Sequence, residues 1–239
     1  MNAIMTVVMG EAENWFKYTG PYMAEYAARW HMAFYVIRQS NYENIHPWWA
    51  KLEIGRLLET YNRVIYVDAD AYIMPDCPNL FDVVPEDRVG IYDHGISQPN
   101  DVVTKEMNAC VSVFGTTYPD ILDFYYNAGV AVYSRIHKSL FGGTLEEVVE
   151  IDRRLKENGC WWPEQSLLNY RIRQFDFHVF LLDYRFNHRP DDCPTWGKDR
   201  FDSYIIHNKY SIVIDALHLA KLGAQRRNKL TMASSDEGA

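Results

Sequence analysis

The feature that most constrains this chain is a short apolar segment that ends in two aspartates. Residues 63–67 read Arg-Val-Ile-Tyr-Val, and Asp68, Ala69 and Asp70 follow directly. A short run rich in β-branched and aromatic residues predicts a buried strand. Residues two apart in extended backbone point to the same side, so both carboxylates would project together from the strand end. Paired carboxylates favour a bound divalent cation, although two solvated turn residues would give the same pattern.

Composition narrows the classes of protein that fit this motif. The chain has 239 residues, of which 48% are hydrophobic and 15% aromatic, so we expect a sizeable core. Acidic residues number 32 and basic residues 24, which gives a net charge of −8. This balance counts against nucleic acid or an anionic membrane as the main partner. The negative net charge also implies that a phosphate ligand would be bound through a metal ion.

The distribution of apolar residues and cysteines predicts a protein without a membrane span. No apolar run reaches the roughly 18–20 residues that a span requires, and residues 1–10 indicate a first strand rather than a signal peptide. The four cysteines are far apart in sequence and form no metal-binding spacing. They indicate reduced thiols, so we expect a cytoplasmic protein or a domain of a larger one.

Strands and helices alternate along the chain. Strands are predicted at 4–9, 63–67, 89–92, 129–133, 178–182 and 203–206, and helices at 21–37, 47–61, 144–155, 163–171 and 215–230. Thr144 and Glu147 form a capping-box pattern at the start of one helix. The alternation predicts an α/β fold with a mostly parallel central sheet and helices on both faces. We expect a single domain over residues 1–230 and a disordered tail over 231–239.

Several segments together resemble a known family of enzymes. They are WWAKLEIGRLLETYNRVIYVDADAYIM (48–74), YNAGVAVY (126–133), WPEQSLLN (162–169), FNHRP (186–190) and IIHN (205–208). In order and spacing, the set is similar to retaining GT-A fold glycosyltransferases of the glycogenin and lipopolysaccharide galactosyltransferase group. It is also similar to the galactomannan galactosyltransferase and xyloglucan xylosyltransferase family. The resemblance covers roughly residues 4–210 and implies a GT-A (Rossmann-like) domain.

The resemblance implies a metal centre and a site for the donor. Asp68, Asp70 and His207 would hold Mn²⁺ or Mg²⁺, for which carboxylate and imidazole ligands are suitable. The expected catalytic residues are Asp93, Glu164 and Gln165. The expected donor-binding residues are Thr6, Val8, Gly10, Tyr18, Lys51, Asp68, Asn127, Ala128, Gly129 and Lys209. After His207 the chain departs from the family pattern "HxxGxxKPW", so the assignment of Lys209 rests only on its distance from His207.

The function implied is a hexosyl- or pentosyltransferase reaction. The donor would be a nucleoside-diphosphate sugar, with a uridine diphosphate sugar as the expected case, and transfer would retain the anomeric configuration. The acceptor would be a glycan, a lipid-linked sugar or a protein, and Trp161, Trp162 and Trp196 are candidates to contact it. One alternative is a binding module that lacks catalysis. Another is a haloacid-dehalogenase-type phosphatase, whose motif requires Thr or Val where Tyr72 stands.

Overall fold

The computed structural model describes residues 1–42, 44–95, 100–189, 197–207 and 209–236. Within these ranges the strands are β1 (Asn2–Val7), β2 (Ala33–Ile37), β3 (Arg63–Val67), β4 (Ala71–Ile73), β5 (Val89–Asp93), β6 (Tyr126–Ser134), β7 (Val179–Leu181) and β8 (Ile205–His207). The α-helices are α1 (Glu13–Arg29), α2 (Ile54–Thr60), α3 (Leu80–Val83), α4 (Asn100–Phe114), α5 (Leu145–Glu157), α6 (Pro163–Gln174) and α7 (Lys209–Asp236). The predicted strand–helix alternation is therefore confirmed.

The central sheet is mostly parallel. In the described part of the chain it has six strands in the order β2-β1-β3-β6-β5-β7. Strand β6 pairs antiparallel with both β3 and β5, whereas the other neighbouring pairs are parallel. A second, two-stranded sheet joins β4 and β8 in antiparallel register, with Ala71 opposite His207. This small sheet brings the C-terminal part of the chain back to the end of β3.

Alternating side chains of the sheet build a hydrophobic core on each face, as period-two geometry requires. On one face, Met5 and Tyr66 join a cluster that contains residues of α2, α4, α5 and α6. On the other, Ile4 and Ile65 pack with residues of α1 and α3. Helix α7 covers β4 and β8 through a smaller cluster that contains Leu219. Helices thus lie on both faces, and the predicted fold class is confirmed.

The predicted helix over residues 21–37 is wrong at both ends. Helix α1 begins earlier, at Glu13, and contains Pro21 in its interior. It ends at Arg29 in a Schellman motif, in which Met32 N–H donates to Ala27 O at 2.8 Å and His31 has a φ of 52°. Because His31 replaces the usual glycine at this position, the sequence carries no obvious stop signal. The residues that follow form the parallel strand β2, which the helical spacing of Trp30 and Phe34 concealed.

Other differences concern the length and type of helices. The predicted helix over 47–61 is a 3₁₀ segment, Pro47–Glu53, followed by α2. Helix α4 was not predicted, and α7 extends from Lys209 to Asp236, into the segment expected to be a disordered tail. The capping box at Thr144 and Glu147 is present. None of the helices in the described ranges combines the length and apolar character that crossing a bilayer requires.

Candidate metal centre and adjacent cleft

The two aspartates lie in a tight turn between β3 and β4. The backbone is not extended here, because Ala71 N–H donates to Asp68 O at 3.0 Å. Two further contacts hold the turn: Asp68 N–H donates to Gly129 O at 2.7 Å, and Thr19 Oγ1 donates to Ala69 O at 2.6 Å. The turn, rather than the period-two geometry expected from the sequence, brings the carboxylates together.

His207 completes a group of three possible metal ligands. Its Nε2 lies 3.3 Å from Asp70 Oδ1 and 3.7 Å from Asp68 Oδ2. One ligand atom from each residue lies within 4.8 Å of the others. Antiparallel pairing of β4 with β8 causes this proximity, because His207 is opposite Ala71, the residue after Asp70. Two carboxylates and an imidazole suit a divalent cation such as Mn²⁺, so the residues present fit the predicted metal.

A buried lysine balances the charge beside the aspartates. Lys51 Nζ lies 3.5 Å from Asp68 Oδ1 and 3.5 Å from Glu164 Oε2. Tyr66 donates its hydroxyl hydrogen to Asp68 Oδ1 at 2.6 Å, and its ring lies under the Lys51 ammonium. Glu164 Oε1 is buried and makes no hydrogen bond with any residue that the structure describes. The site therefore offers one buried acceptor that its own side chains leave unused.

Burial and charge act in opposite directions on these side chains. Burial raises the pKa of Glu164 to about 7; Lys51 lowers it in part, and Asp68 adds to the increase. Burial lowers the pKa of Lys51, but Asp68 and Glu164 outweigh this effect and the net pKa is above the usual range. For Asp70 burial raises the pKa, yet the charge and hydrogen bond of His207 bring the net value below the usual range. Asp70 thus favours the charged form that a metal requires.

A cleft of about 290 Å³ opens beside the aspartates at the carboxyl ends of β1 and β3. Its polar lining is Lys51, Tyr66, Asp68 and Asp70. The apolar lining comprises Val7, Met9, Ala12, Trp15, Pro47, Trp48 and Ala69. Ligands of α/β sheets bind outside the carboxyl ends of the strands. Charged groups at one end and tryptophans among the lining would suit a ligand with an anionic part and a flat ring.

Amide side chains of α6 hold the start of β6 in place. Gln165 Oε1 accepts from Ala128 N–H at 3.0 Å. Asn169 Oδ1 accepts from Tyr126 N–H at 2.9 Å, and its Nδ2 donates to Tyr126 O at 3.2 Å. These contacts connect the helix that carries Glu164 to the strand segment that supports the metal centre.

A buried carboxylate on α4 holds the N-terminus of α6. Glu106 accepts from Trp161 N–H at 2.7 Å, Trp162 N–H at 3.2 Å and Ser166 Oγ at 2.6 Å. The thiol of Cys160 donates to it at 2.9 Å. Acceptors at a helix N-terminus satisfy N–H groups that have no partner within the helix. Glu106 therefore fixes the first turn of α6, where Glu164 and Gln165 lie.

Some of the predicted donor-binding residues lie away from the cleft lining. Thr6 and Val8 alternate with the lining residues of β1 and the segment after it, and both are buried. Gly10 begins a short 3₁₀ turn with a φ of 59°. Tyr18 lines a separate groove between α1 and α7. Direct side-chain contacts from Thr6, Val8 and Tyr18 to a ligand in this cleft are thus not supported.

The side chain of Asp93, at the end of β5, accepts hydrogen bonds from backbone N–H groups. Its Oδ1 accepts from Gly95 N–H at 2.8 Å and Tyr125 N–H at 3.1 Å. The Lys209 side chain and all of Trp196 lie outside the described residues, so their assignments stay predictions. Trp161 is 57% exposed and Trp162 is half-buried, next to the start of α6.

Four residues that sequence reasoning did not select contribute to the site. They are Trp15 and Trp48 in the cleft, Glu106 behind α6, and Asn187 beside His207. Trp15 lies about one helical turn before the predicted Tyr18, but Tyr18 lines the groove between α1 and α7 instead of the cleft. Asn187 lies within the FNHRP segment, but its contact with His207 depends on a long-range approach of the chain.

The sheet order, the flanking helices and the aspartates at the end of β3 define a GT-A fold. Solved structures with this fold include a glycosyltransferase involved in glycosylation of the major capsid of PBCV-1, with a TM-score of 0.59 and 12% identity. That match covers 91% of this chain and 99% of the other. The galactosyltransferase LgtC, in complex with donor and acceptor sugar analogues, matches with a TM-score of 0.56 and 12% identity over 94% of this chain and 96% of its own.

A third structure is the glycosyltransferase GlyE of Streptococcus pneumoniae TIGR4, with a TM-score of 0.52 and 12% identity. The match covers 95% of this chain and 63% of the GlyE chain. No protein-family profile and no curated protein sequence match the chain. At such low identities the likeness establishes the fold, and function has to be argued from the site.

Proposed function

We propose that this protein is a metal-dependent glycosyltransferase that uses a nucleoside-diphosphate sugar. The observation that carries the proposal is the Asp68, Asp70 and His207 group beside a cleft at the strand ends of a GT-A fold. The GT-A neighbours are described as glycosyltransferases, and they support the same reaction class. The donor we infer is a uridine diphosphate hexose or pentose, transferred with retention to a hydroxyl of a glycan, lipid-linked sugar or protein.

The metal ligands and Lys51 would act on the diphosphate. A divalent ion held by Asp68, Asp70 and His207 would supply a Lewis acid that stabilises charge on the departing diphosphate. Lys51 is a second, fixed positive charge, buried between Asp68 and Glu164. Preorganised charge in a water-poor site is an effective way to stabilise a leaving group. An acidic protein can therefore bind an anionic donor without a broad basic surface.

Glu164 is the side chain that we assign to the sugar. Its Oε1 has no partner among the described residues, so it can accept a hydrogen bond from a sugar hydroxyl. When ionised, the same carboxylate would stabilise positive charge that develops on the sugar ring. Gln165 and Asn127 would position the donor sugar indirectly, because both bond to the backbone of the strand segment 127–129.

The first experiment compares nucleotide binding by the protein and by Asp70→Asn. Thermal unfolding is followed with uridine, guanosine and adenosine diphosphates and with UDP-sugars, each with and without Mn²⁺. A ligand that binds only the native state raises the Tm by mass action. We expect a Mn²⁺-dependent increase with uridine nucleotides, and its loss in Asp70→Asn. Asp82→Asn, on the exposed side of α3, is the matched control and should respond like the wild type.

Release of nucleoside diphosphate from the bound UDP-sugar then separates an enzyme from a binding module. Turnover in the presence of sugar acceptors supports transfer, whereas Mn²⁺-dependent binding without any release favours the binding module. A well-folded protein that shows no shift with any nucleotide contradicts the donor site altogether. The GT-A fold gives no support to the haloacid-dehalogenase alternative.

A further inference from the structure

A buried chain of amide groups leads from the backbone of β6 to the imidazole of His207. Gly129 N–H donates to Asn127 Oδ1 at 3.0 Å, and Asn187 Nδ2 donates to the same oxygen at 3.0 Å. Asn187 Oδ1 lies 2.8 Å from His207 Nδ1. Asn127, Asn187 and His207 are each at least nine-tenths buried, so hydrogen bonds inside the protein decide how their polar atoms are arranged.

The donor and acceptor roles along this chain follow from its first member. A backbone N–H can only donate, so the Asn127 atom that faces Gly129 is the amide oxygen. An amide oxygen has no hydrogen, so the Asn187 atom that faces it is the NH₂ group. Asn187 therefore presents its oxygen to His207, and Nδ1 of His207 carries the hydrogen. The network thus assigns the tautomer of His207, with no free choice at any step.

With the hydrogen on Nδ1, the neutral imidazole directs the lone pair of Nε2 toward the aspartates. Asp70 Oδ1 is 3.3 Å away and Asp68 Oδ2 is 3.7 Å away, and neither carboxylate offers a hydrogen when ionised. A lone pair that faces two carboxylates is unfavourable unless a proton or a metal cation lies between them. We propose that Asn187, oriented by Asn127, is a positioning residue that holds His207 in the Nδ1–H tautomer and keeps Nε2 available to a divalent cation.

Gly129 adds a steric constraint to this hydrogen-bonded chain. A Cβ at this position would lie 2.1 Å from His207 Cε1 and 2.7 Å from Nδ1, so the imidazole packs against bare backbone. The carbonyl of the same glycine accepts from Asp68 N–H. One residue of β6 therefore supports the aspartate turn, starts the amide chain and leaves room for the ring.

The inference rests on the metal centre of the proposed function, but its test does not need activity. His207 is observed by long-range ¹H–¹⁵N NMR in metal-free protein labelled with ¹⁵N-histidine, at alkaline pH where the ring carries one hydrogen. Mn²⁺ affinity is measured in parallel by EPR. We expect the wild type to show the Nδ1–H tautomer. We expect Asn187→Ala to populate Nε2–H and to bind Mn²⁺ about 10–100-fold more weakly, as is usual when a partner of a ligating histidine is lost.

Two further variants separate the positioning role from general stability. Ser134→Ala removes another fully buried polar side chain, one that bonds to Arg63 at the far end of β6 and not to His207, and should keep both the tautomer and the Mn²⁺ affinity. Asn187→Asp retains an acceptor for Nδ1–H and should keep the tautomer, even though it cannot donate to Asn127.

The wild-type spectrum decides the matter even where Asn187→Ala does not fold. An Nε2–H tautomer in the wild type, or unchanged tautomer and Mn²⁺ affinity in folded Asn187→Ala, overturns the proposal. Equal losses of affinity in Asn187→Ala and Ser134→Ala also overturn it, since the effect would then be one of stability. Absence of glycosyl transfer would leave these results unaffected, so failure of the proposed function remains distinguishable.

Discussion

Glu164, which we propose to act on the donor sugar, is also a source of instability. It is 3% exposed, and its carboxyl has Lys51 at 3.5 Å on one oxygen and no described partner on the other. A buried carboxylate that is only partly compensated costs free energy when ionised. This explains why burial raises its pKa to about 7. Such incomplete pairing is typical of groups that act on a ligand.

We expect Glu164→Gln to stabilise the metal-free protein more at about pH 8 than at about pH 5. The folded-state pKa of about 7 exceeds the unfolded value of 4.5, so the folded state binds more protons between them. Stability contributed by Glu164 therefore falls as pH rises through this window. The gain from Gln should be larger at the higher pH by about 2–3 kcal/mol, and urea unfolding at both pH values measures it.

The ion pair between Lys51 and Glu164 is already included in this expected difference, because Lys51 contributes to the pKa of about 7. Glu146→Gln, at an exposed position on α5, is the control and should show no pH-dependent difference. The same gain at both pH values would mean that Glu164 ionises normally in the folded protein.

At the residue scale the sequence predicted the members of the Asp68, Asp70 and His207 group better than the residues that support it. Asp68 and Asp70 were visible because a buried strand precedes them, and His207 because the resemblance places a ligand there. Asn187 and Trp15 were missed because their roles depend on contacts between distant parts of the chain. No periodicity or local spacing reports such contacts.

Helix α6 shows how an element becomes a rigid support for a site. Its first turn is anchored by Glu106 of α4, and its later residues Gln165 and Asn169 bond to the backbone at the start of β6. Pro163 at the first helical position begins the helix in the usual way. The position of Glu164 therefore depends on two other elements.

We expect Glu106→Ala to lower the free energy of unfolding by about 3–5 kcal/mol, because it leaves several buried donors without an acceptor. Urea unfolding followed by far-UV circular dichroism measures the loss. Asn108→Ala, on the exposed side of the same helix, is the control and should change stability by less than about 0.5 kcal/mol. A loss in Glu106→Ala no larger than in the control would show that water replaces the carboxylate at no cost.

At the element scale, the strands were easier to predict than the helix boundaries. The segment 63–67 matches β3 residue for residue because polar residues flank it, Asn62 before and Asp68 after. Strand β2 was merged into the preceding helix, since its aromatic residues continue a helical spacing and His31 takes the left-handed conformation usually given to glycine. Helix α4 lacked a clear start signal, and its burial against α6 is a tertiary effect.

The whole molecule is organised around one six-stranded sheet with a hydrophobic core on each face. A small second sheet, β4 with β8, brings the C-terminal part of the chain to the end of β3. The fold class was predictable because alternating strands and helices leave few arrangements. The reversed direction of β6 was not, because both the β3–β6 and the β5–β6 pairings join segments far apart in sequence.

We expect Mn²⁺ to stabilise the folded protein, since its ligands are assembled only by the completed fold. At a free concentration of about 100 times the Kd, the gain in the free energy of unfolding should be about 2.7 kcal/mol. Urea unfolding with and without Mn²⁺ measures it, and His207→Ala should lose most of the gain. Stabilisation by Mn²⁺ that persists in both His207→Ala and Asp70→Asn would indicate nonspecific binding to the acidic surface.

The pairing of β4 with β8 has a consequence for biosynthesis. Every strand of the six-stranded sheet emerges from the ribosome before the histidine of the Asp68, Asp70 and His207 group, since β7 ends at Leu181 and β8 ends at His207. A nascent chain can thus complete its main sheet while it carries two aspartates without their third partner. If an ion binds to this group as we propose, its binding requires the final strand to dock, so metal loading would distinguish finished molecules from stalled or truncated ones.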